Sequence, residues 1–352
     1  MDYSKEIEDL VNLIIKEGAS DLHLSAGRSP IIRSSGQLIP LIKRPALTEK
    51  DMLGFADIFL SPGNKKLLEE NRDADFSYSL KNARFRGNIY FRQGSLAIAL
   101  RLIPKEIRTL SELKLPPILE TFTRKPQGFF LVVGPIGQGK TTTLATMIEM
   151  INQTRTEHIL TIEDPVEYMF DSKKSIIDQR EVRIDTPDFA DALNAMFRED
   201  IDVCMVGEMR NPETIGTAVT AAETGHLVFS TLHTNNAAQT IDRIIDSFPA
   251  NQQDQIRIQL AGSLTGIFSQ RLIPRISGGL IPAYELLINN NAVSNLIRER
   301  RTHEINTVIE TSSQEGMIDL NRSLAELVRA GEITVESAYL SSLNPKNLER
   351  ML

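Results

Sequence analysis

Apolar residues recur along the chain with two different rhythms, and these divide it. Ile7, Leu10, Val11, Ile14 and Ile15 fall at helical spacing and predict an amphipathic opening helix. Short runs at 21–24, 31–33, 75–80, 84–91 and 97–102 read as strands, set apart by Gly27, Gly36, Gly87 and Gly94. Together they predict a small α+β domain over residues 1–103. Residues 104–126 contain Pro104, Pro116-Pro117 and Pro126 and read as a linker with a short helix in it. From Gly128 the rhythm becomes strand–helix alternation. Residues 129–133, 158–162, 203–206 and 226–232 are mostly apolar runs of strand length with helical patterns between them. Such alternation predicts a doubly wound, mostly parallel α/β sheet over 127–289, with its ligand at the strand ends. Helical spacing at 291–300, 320–330 and 335–340 predicts a C-terminal helical region, 290–352, packed on that domain.

The first buried run, Phe129-Phe130-Leu131-Val132-Val133, enters Gly134-Pro135-Ile136-Gly137-Gln138-Gly139-Lys140-Thr141. This octapeptide fits G-x-x-x-x-G-K-[ST] at every fixed position. Its glycines let the backbone curl until several N–H groups point at one anion. Lys140 adds a charge able to reach the outer phosphates, and the Thr141 hydroxyl suits Mg²⁺. A helical pattern from Thr142 through Leu144, Met147, Ile148 and Ile151 puts a positive helix end behind the loop. Residues 134–142 therefore predict a nucleoside triphosphate site, for ATP with Mg²⁺. The pattern alone matches by chance in roughly one chain of this length per hundred, and its strand–loop–helix setting lowers that further.

Composition narrows the picture from outside. At 352 residues, 41% hydrophobic and 24% charged, the chain has the make-up of an ordinary globular protein with two or three cores. No apolar stretch approaches the roughly 20 residues that cross a bilayer. The opening Met-Asp-Tyr-Ser-Lys-Glu is polar and predicts no signal peptide. The one cysteine, Cys204, excludes an internal disulfide or a cysteine-cluster zinc site and fits a reducing, cytoplasmic setting. A net charge of −7 argues against a nucleic-acid partner.

Two further apolar runs end in acids. Ile159-Leu160-Thr161-Ile162 leads into Glu163-Asp164, and Val203-Cys204-Met205-Val206 into Gly207-Glu208-Met209-Arg210. At the C-terminal ends of parallel strands such carboxylates face the ligand crevice. Glu163 and Asp164 there could hold the Mg²⁺ shell, and Glu208 could position the water that attacks the γ-phosphorus. Their plainer readings are a helix cap and a solvated surface acid. His226 and His233 bracket the run 227–232, which puts His226 at the strand start and His233 at the ligand-side end, in reach of a γ-phosphate. No helical i, i+4 spacing makes the pair a metal site. In the first domain Arg84 and Arg86 share one strand face, and Arg92 and Arg101 lie nearby in sequence. They read either as solvated charge or as arginines delivered to the phosphates on domain closure.

These motifs, in this order, resemble the secretion-type motor ATPases of the PilT/GspE family over essentially the full chain. The Walker A run, Thr161-Ile162-Glu163-Asp164-Pro165, Val206-Gly207-Glu208-Met209-Arg210 and the stretch from Thr224-Gly225-His226 to Leu232-His233-Thr234 are similar to the family's Walker A motif, aspartate box, Walker B motif and histidine box. Ser20-Asp21-Leu22-His23-Leu24-Ser25 is typical of its PAS-like N-terminal domain. The resemblance implies a RecA-like P-loop ATPase core, an N-terminal PAS-like α+β domain and a homohexameric ring. In that ring ATP lies between the two domains of one chain, and Arg86 and Arg101 match the arginines that close over it. It makes Glu163 and Glu208 the catalytic carboxylates and His226 and His233 the histidine-box residues. It also implies an inner-membrane platform protein as partner, pilin acted on indirectly, and peripheral placement at the membrane.

Ala292-Val293-Ser294-Asn295-Leu296-Ile297-Arg298-Glu299 resembles the A-I-R-N-L-I-R-E helix of the pilus-retraction branch, with Ser294 replacing its first arginine. Those helix residues also make an ordinary buried stripe. Asn211 and Asn194 depart from an Asp and an Arg common in the family. With one cysteine the sequence holds no tetracysteine insert of the kind usual in pilus-extension and type II secretion relatives, and the extra N-terminal region usual in them is not expected. A retraction motor is the expectation. An extension or secretion ATPase, a nucleic-acid motor and a nucleotide-gated scaffold are its rivals.

Overall fold

The structure, a computed structural model, describes residues 2–34, 37–80, 83–103 and 106–352, so Gly36 and Pro104 of the sequence reading lie outside the described residues. The chain divides into two compact units, Met1–Glu106 with Pro165–Met169, and Ile107–Asp164 with Phe170–Leu352.

The first unit runs α1 (Tyr3–Lys16), β1 (Asp21–Ser25), β2 (Ile31–Ser34), β3 (Gln37–Pro40), α2 (Glu49–Phe59), α3 (Pro62–Asn71), β4 (Asp73–Leu80), β5 (Ala83–Arg92) and β6 (Ser95–Ile103). Its six strands form one antiparallel sheet in the order β3-β2-β1-β6-β5-β4. The opening helix buries Ile7, Leu10, Val11 and Ile14, as its spacing predicts, in a core with Leu22, Phe55, Phe76, Phe85 and Ile98, while Ile15 of the same stripe is exposed. Strand β5 alternates from Ala83 to Ile89: Phe85, Gly87 and Ile89 are buried, while Arg84, Arg86 and Asn88 take the other face, half-exposed. Arg86 and Arg101 are direct cross-strand neighbours, and Arg101 is in turn opposite Asp21.

The second unit continues with α4 (Leu119–Thr123), β7 (Gly128–Val133), α5 (Lys140–Thr154), β8 (His158–Glu163), β9 (Ile176–Glu181), α6 (Phe189–Met196), β10 (Val203–Val206), α7 (Pro212–Glu223) and β11 (Leu227–Leu232). It ends with α8 (Ala237–Asp246), α9 (Gln253–Ser263), β12 (Leu264–Pro274), β13 (Leu280–Ile288), α10 (Asn291–Arg298), α11 (Ile305–Thr311), α12 (Leu320–Arg329), α13 (Val335–Ser341) and α14 (Pro345–Met351). Seven strands form one sheet, β13-β12-β7-β11-β10-β8-β9, parallel except for β13. Every residue of β7, β10 and β11 is buried, because helices cover both faces. Phe129, Leu131 and Val133 pack toward α6, α7 and α9, while Phe130, on the opposite face, meets Phe122 of α4 with ring centroids 4.4 Å apart. The α/β class expected from the alternation is the one observed.

Three strands of this sheet were not expected. β9 is an edge strand whose Ile176-Ile177-Asp178-Gln179-Arg180-Glu181 is largely polar, since one side faces solvent. β12 and β13 form a hairpin on the other edge and carry the polar residues Ser269, Gln270, Arg271 and Glu285 within apolar surroundings. The C-terminal helices α12–α14 cluster around Ile273, Ile281 and Ala283 at the far part of this hairpin through Leu320, Leu324, Ala338 and Leu348. Cys204 is fully buried in β10, and burial pushes its thiol up to about 12.

Candidate active site

The parallel strands β7, β11, β10 and β8 end in register, so their C-terminal residues share one edge of the sheet. Val133 is opposite Leu232, and Val206 is opposite both Ser230 and Ile162. The residues that follow are Gly134, His233, Gly207-Glu208 and Glu163-Asp164. β7 and β8 follow one another in the chain yet lie apart, with β11 and β10 between them. A crevice at such a reversal of strand order is where open α/β sheets place ligands.

The loop from Gly134 to Gly139 leaves β7 in a tight curl. Gly134 has φ +146, and a Cβ there would lie 2.4 Å from the backbone oxygen of Gln270. Gly139, at φ +78, starts α5, and its Cβ would meet Gln270 Nε2 at 3.0 Å. Both positions require glycine, through backbone conformation and through the close approach of β12. Ile136 and Gly137 are exposed at the loop tip, while Lys140 is buried. β12 fastens the loop from outside. Gln270 Nε2 donates to Gln138 O at 2.8 Å, and the Leu272 amide donates to Gln138 Oε1 at 2.6 Å. Thr143 Oγ1 donates to Gln270 Oε1 at 2.7 Å. Gly134→Ala adds strain of about 1–3 kcal/mol from the dihedral alone, before the clash with β12. Thermal unfolding should show a Tm lowered by several degrees and, with the loop displaced, weakened nucleotide binding. An unchanged Tm would contradict the tight packing described.

Lys140 donates to Gly134 O and Pro135 O, both at 2.9 Å, and approaches His233 Nδ1 at 3.2 Å. An ammonium only donates, so Nδ1 accepts and the imidazole carries its proton on Nε2. That Nε2–H faces Glu208 Oε1 at 3.5 Å. Burial, and then the charge of Lys140, hold His233 below the ordinary histidine value, which agrees with a neutral ring. Glu208 follows Gly207, whose amide donates to Ile162 O at 2.8 Å and whose carbonyl accepts from Thr231 Oγ1 at 2.7 Å. Burial opposes ionisation of Glu208. Arg210, bonded to it at 2.8 Å, with His233 and Lys140, outweighs burial and holds the carboxyl below its ordinary value. Arg210 also feels Asp164, which pairs with Arg183 at 3.5 Å. Glu163 is 3% exposed and accepts from Thr161 Oγ1 at 2.9 Å and Gln179 Nε2 at 3.3 Å.

Lys140, His233 and Glu208 thus form one line of contacts linking the loop to the β10 end. His226 is not brought into it. It precedes β11 at the opposite end from His233, where its Nδ1 lies 3.0 Å from Ala221 O and its ring stands edge-on to Phe197. Arg86 and Arg101 belong to the first unit, Arg86 paired with Glu167 at 3.2 Å and Arg101 with Asp21 at 2.9 Å. Both line a cleft of about 380 Å³ with His23, Asp75 and Asn88. Sequence reading missed Gln270 and Arg183. For Gln270 the available signal was polarity out of place, since Gln270-Arg271 interrupt an apolar strand; Arg183 carries no such mark, and its left-handed φ of +69 is visible only in the structure.

Thr141, Glu163 and Asp164 offer only hard oxygen donors, the chemistry Mg²⁺ prefers. Among the described residues no cluster of three or more His, Cys, Asp or Glu forms a self-sufficient metal site.

A mostly parallel α/β sheet, a glycine-built anion loop at its switch point and an ionised carboxylate two strands away define a phosphate-loop nucleotide-binding protein. Residues 3–304 match the family described as Type II/IV secretion system protein, and the chain belongs to that family. It is 45% identical over 322 residues to a twitching motility protein of Neisseria gonorrhoeae, spanning 91% of this chain and 86% of that one. To the type IV pilus retraction ATPase PilT of Pseudomonas aeruginosa it is 43% identical over 343 residues, 97% of this chain and 99% of the relative. The crystal structure of the pilus retraction motor PilT with bound ADP superposes with a TM-score of 0.90 at 48% identity, covering 97% of this chain and 98% of that one. No helix among the described residues is long and apolar enough to cross a membrane.

Proposed function

We propose that this chain is an ATP-hydrolysing motor that powers type IV pilus retraction. The observation that carries the reading is the Lys140–His233–Glu208 line at the sheet edge, in a chain alike over nearly its whole length to retraction ATPases. Lys140 and the loop amides of Ile136, Gly137, Gln138 and Gly139 hold the phosphates, with Gly134 and Pro135 shaping the loop's entry and Thr141 and Thr142 at the helix start. Thr141, Glu163 and Asp164 hold Mg²⁺, which when bound neutralises phosphate charge. Glu208 orients the attacking water and His233 links its carboxylate to Lys140. His226 keeps its histidine-box place at the far end of β11. Arg86 and Arg101, paired here with Glu167 and Asp21, are the arginines assigned to neutralise phosphate charge.

In this reading residues 1–103 are the PAS-like domain, 104–126 the linker, 127–289 the RecA-like ATPase domain and 290–352 the helical region on it. The motor is a cytoplasmic homohexamer, peripheral at the inner membrane, that drives pilin disassembly through a platform protein. The ionised Glu208 favours turnover over a nucleotide-gated scaffold. Deleting the gene and counting surface pili tests the direction of work. Hyperpiliated cells that cannot twitch are expected, and bald cells restored by the gene would overturn retraction in favour of extension.

A further inference from the structure

The β12–β13 hairpin holds a buried acid that this mechanism does not use. Glu285, 7% exposed, accepts the amide of Ala237, the first residue of α8, at 2.7 Å. Its direct cross-strand neighbour is Ser269. Ser269 Oγ donates to Asn235 O at 2.9 Å, and Arg271 Nη2 donates to Asn235 Oδ1 at 3.2 Å. Asn235 and Ala237 flank Asn236, the cap of α8, and Asn235 lies two residues beyond His233. The turn's other bonds run to its own helix: Thr234 to Thr240, the Asn235 amide to Gln239, and Asn236 to Gln239 and Thr240. Glu285, Ser269 and Arg271 are thus the hairpin's hold on a short turn whose other end carries the exposed imidazole between Lys140 and Glu208. The geometry is demanding, since His233 must meet both groups within one ring's width.

We infer that Glu285 and Ser269 are positioning residues: together they pin the 233–237 turn so that His233 bridges Lys140 and Glu208. The inference rests on the reading of this edge as an ATP-hydrolysing site. Accepting the Ala237 amide needs an oxygen, and not a charge. Burial raises the Glu285 carboxyl to about 7, with Asp319 adding to the rise and the Ala237 amide and Arg271 opposing it. Folding therefore favours its protonated form. The stability this gives is full below the ordinary carboxylate value and is lost as pH rises through 7.

The test compares ATP turnover of Glu285→Gln, Glu285→Leu and Ser269→Ala in the full-length protein, with Lys140→Ala as the reference for the site. Glu285→Gln keeps an acceptor and should hold kcat within about twofold. It should also melt a few degrees above the native protein at pH 8, with the gap closing by pH 5. Glu285→Leu keeps the packing and loses the acceptor. It should lower kcat about tenfold or more with little change in KM, because a displaced group acts on the reacting centre rather than on binding. Its acid limb should move up in pH, since His233 released from Lys140 returns toward the ordinary histidine value. Ser269→Ala, which leaves Glu285 in place, should shift kcat and the acid limb the same way and decides the matter if Glu285→Leu does not fold. Native kcat and pH profile in folded Glu285→Leu or in Ser269→Ala, or a Glu285→Gln as impaired as Glu285→Leu, would overturn the inference. Turnover by Lys140→Ala at the native rate would instead sink the functional reading itself, and the inference with it.

Discussion

Lys140→Ala should reduce ATP turnover to background, the largest single effect expected of any substitution in this chain. Lys140 sits at the first position of α5, held by the carbonyls of Gly134 and Pro135, with its ammonium already inside the loop. Removing it deletes the loop's own cation where the outer phosphates arrive, in a partly desolvated setting where such a charge counts for far more than in water. A loss of about 3–4 kcal/mol in transition-state stabilisation, roughly a factor of 10³, is the floor for such a group. The fold should survive, because the neighbouring anchors from Gln270 and Leu272 to Gln138 do not involve Lys140. Phosphate release measured beside a thermal melt separates the two effects. Native-rate hydrolysis by a folded mutant would remove the phosphate-loop assignment altogether.

Glu208→Gln should lower kcat by about 10³-fold while leaving nucleotide affinity within a few-fold. The amide keeps the shape of the side chain and an acceptor for Arg210, but discards the negative charge that the site maintains. Burial alone would favour a neutral carboxyl here, and Arg210, His233 and Lys140 reverse that preference. A carboxylate kept ionised by three basic neighbours is a weak base. It serves by accepting a hydrogen bond from water and fixing its direction. Because its pKa is depressed on folding, its contribution to stability is present above the ordinary carboxylate value and is lost as pH falls through the folded one. Single-turnover kinetics with bound ATP measure the chemical step directly. A kcat reduced less than about tenfold would remove Glu208 from the water's path.

How much of this could be read from the sequence depended on where each residue's partners lie. β7, β8, β10 and β11 were legible because strands covered on both faces must be apolar throughout, and each runs straight into its functional residue. The loop was legible because its chemistry is local, held within eight consecutive residues. The hairpin escaped notice for the opposite reason. Ser269, Gln270 and Glu285 look like breaks in a strand pattern until Asn235, Gln138 and Ala237 are brought beside them from distant segments. Ser294, which departs from the family's arginine, likewise finds its reason only in space. Its hydroxyl bonds Ala261 O at 2.9 Å and Asn289 Oδ1 at 3.1 Å, tying α10 to the end of α9. Asn211 caps α7 by accepting the Thr214 amide at 2.8 Å, a task an aspartate performs equally well.

The burial of Cys204 has a practical side. The chain contains one cysteine, in the middle of the sheet, with its thiol pushed up to about 12. Maleimides and other thiol reagents need an accessible thiolate, so they pass this residue by in the folded protein. A cysteine introduced on an exposed position of either unit becomes the sole labelling target without any prior removal of a native one. Dye pairs or spin labels placed in this way can report on either unit during turnover, in a protein whose own sequence is otherwise untouched.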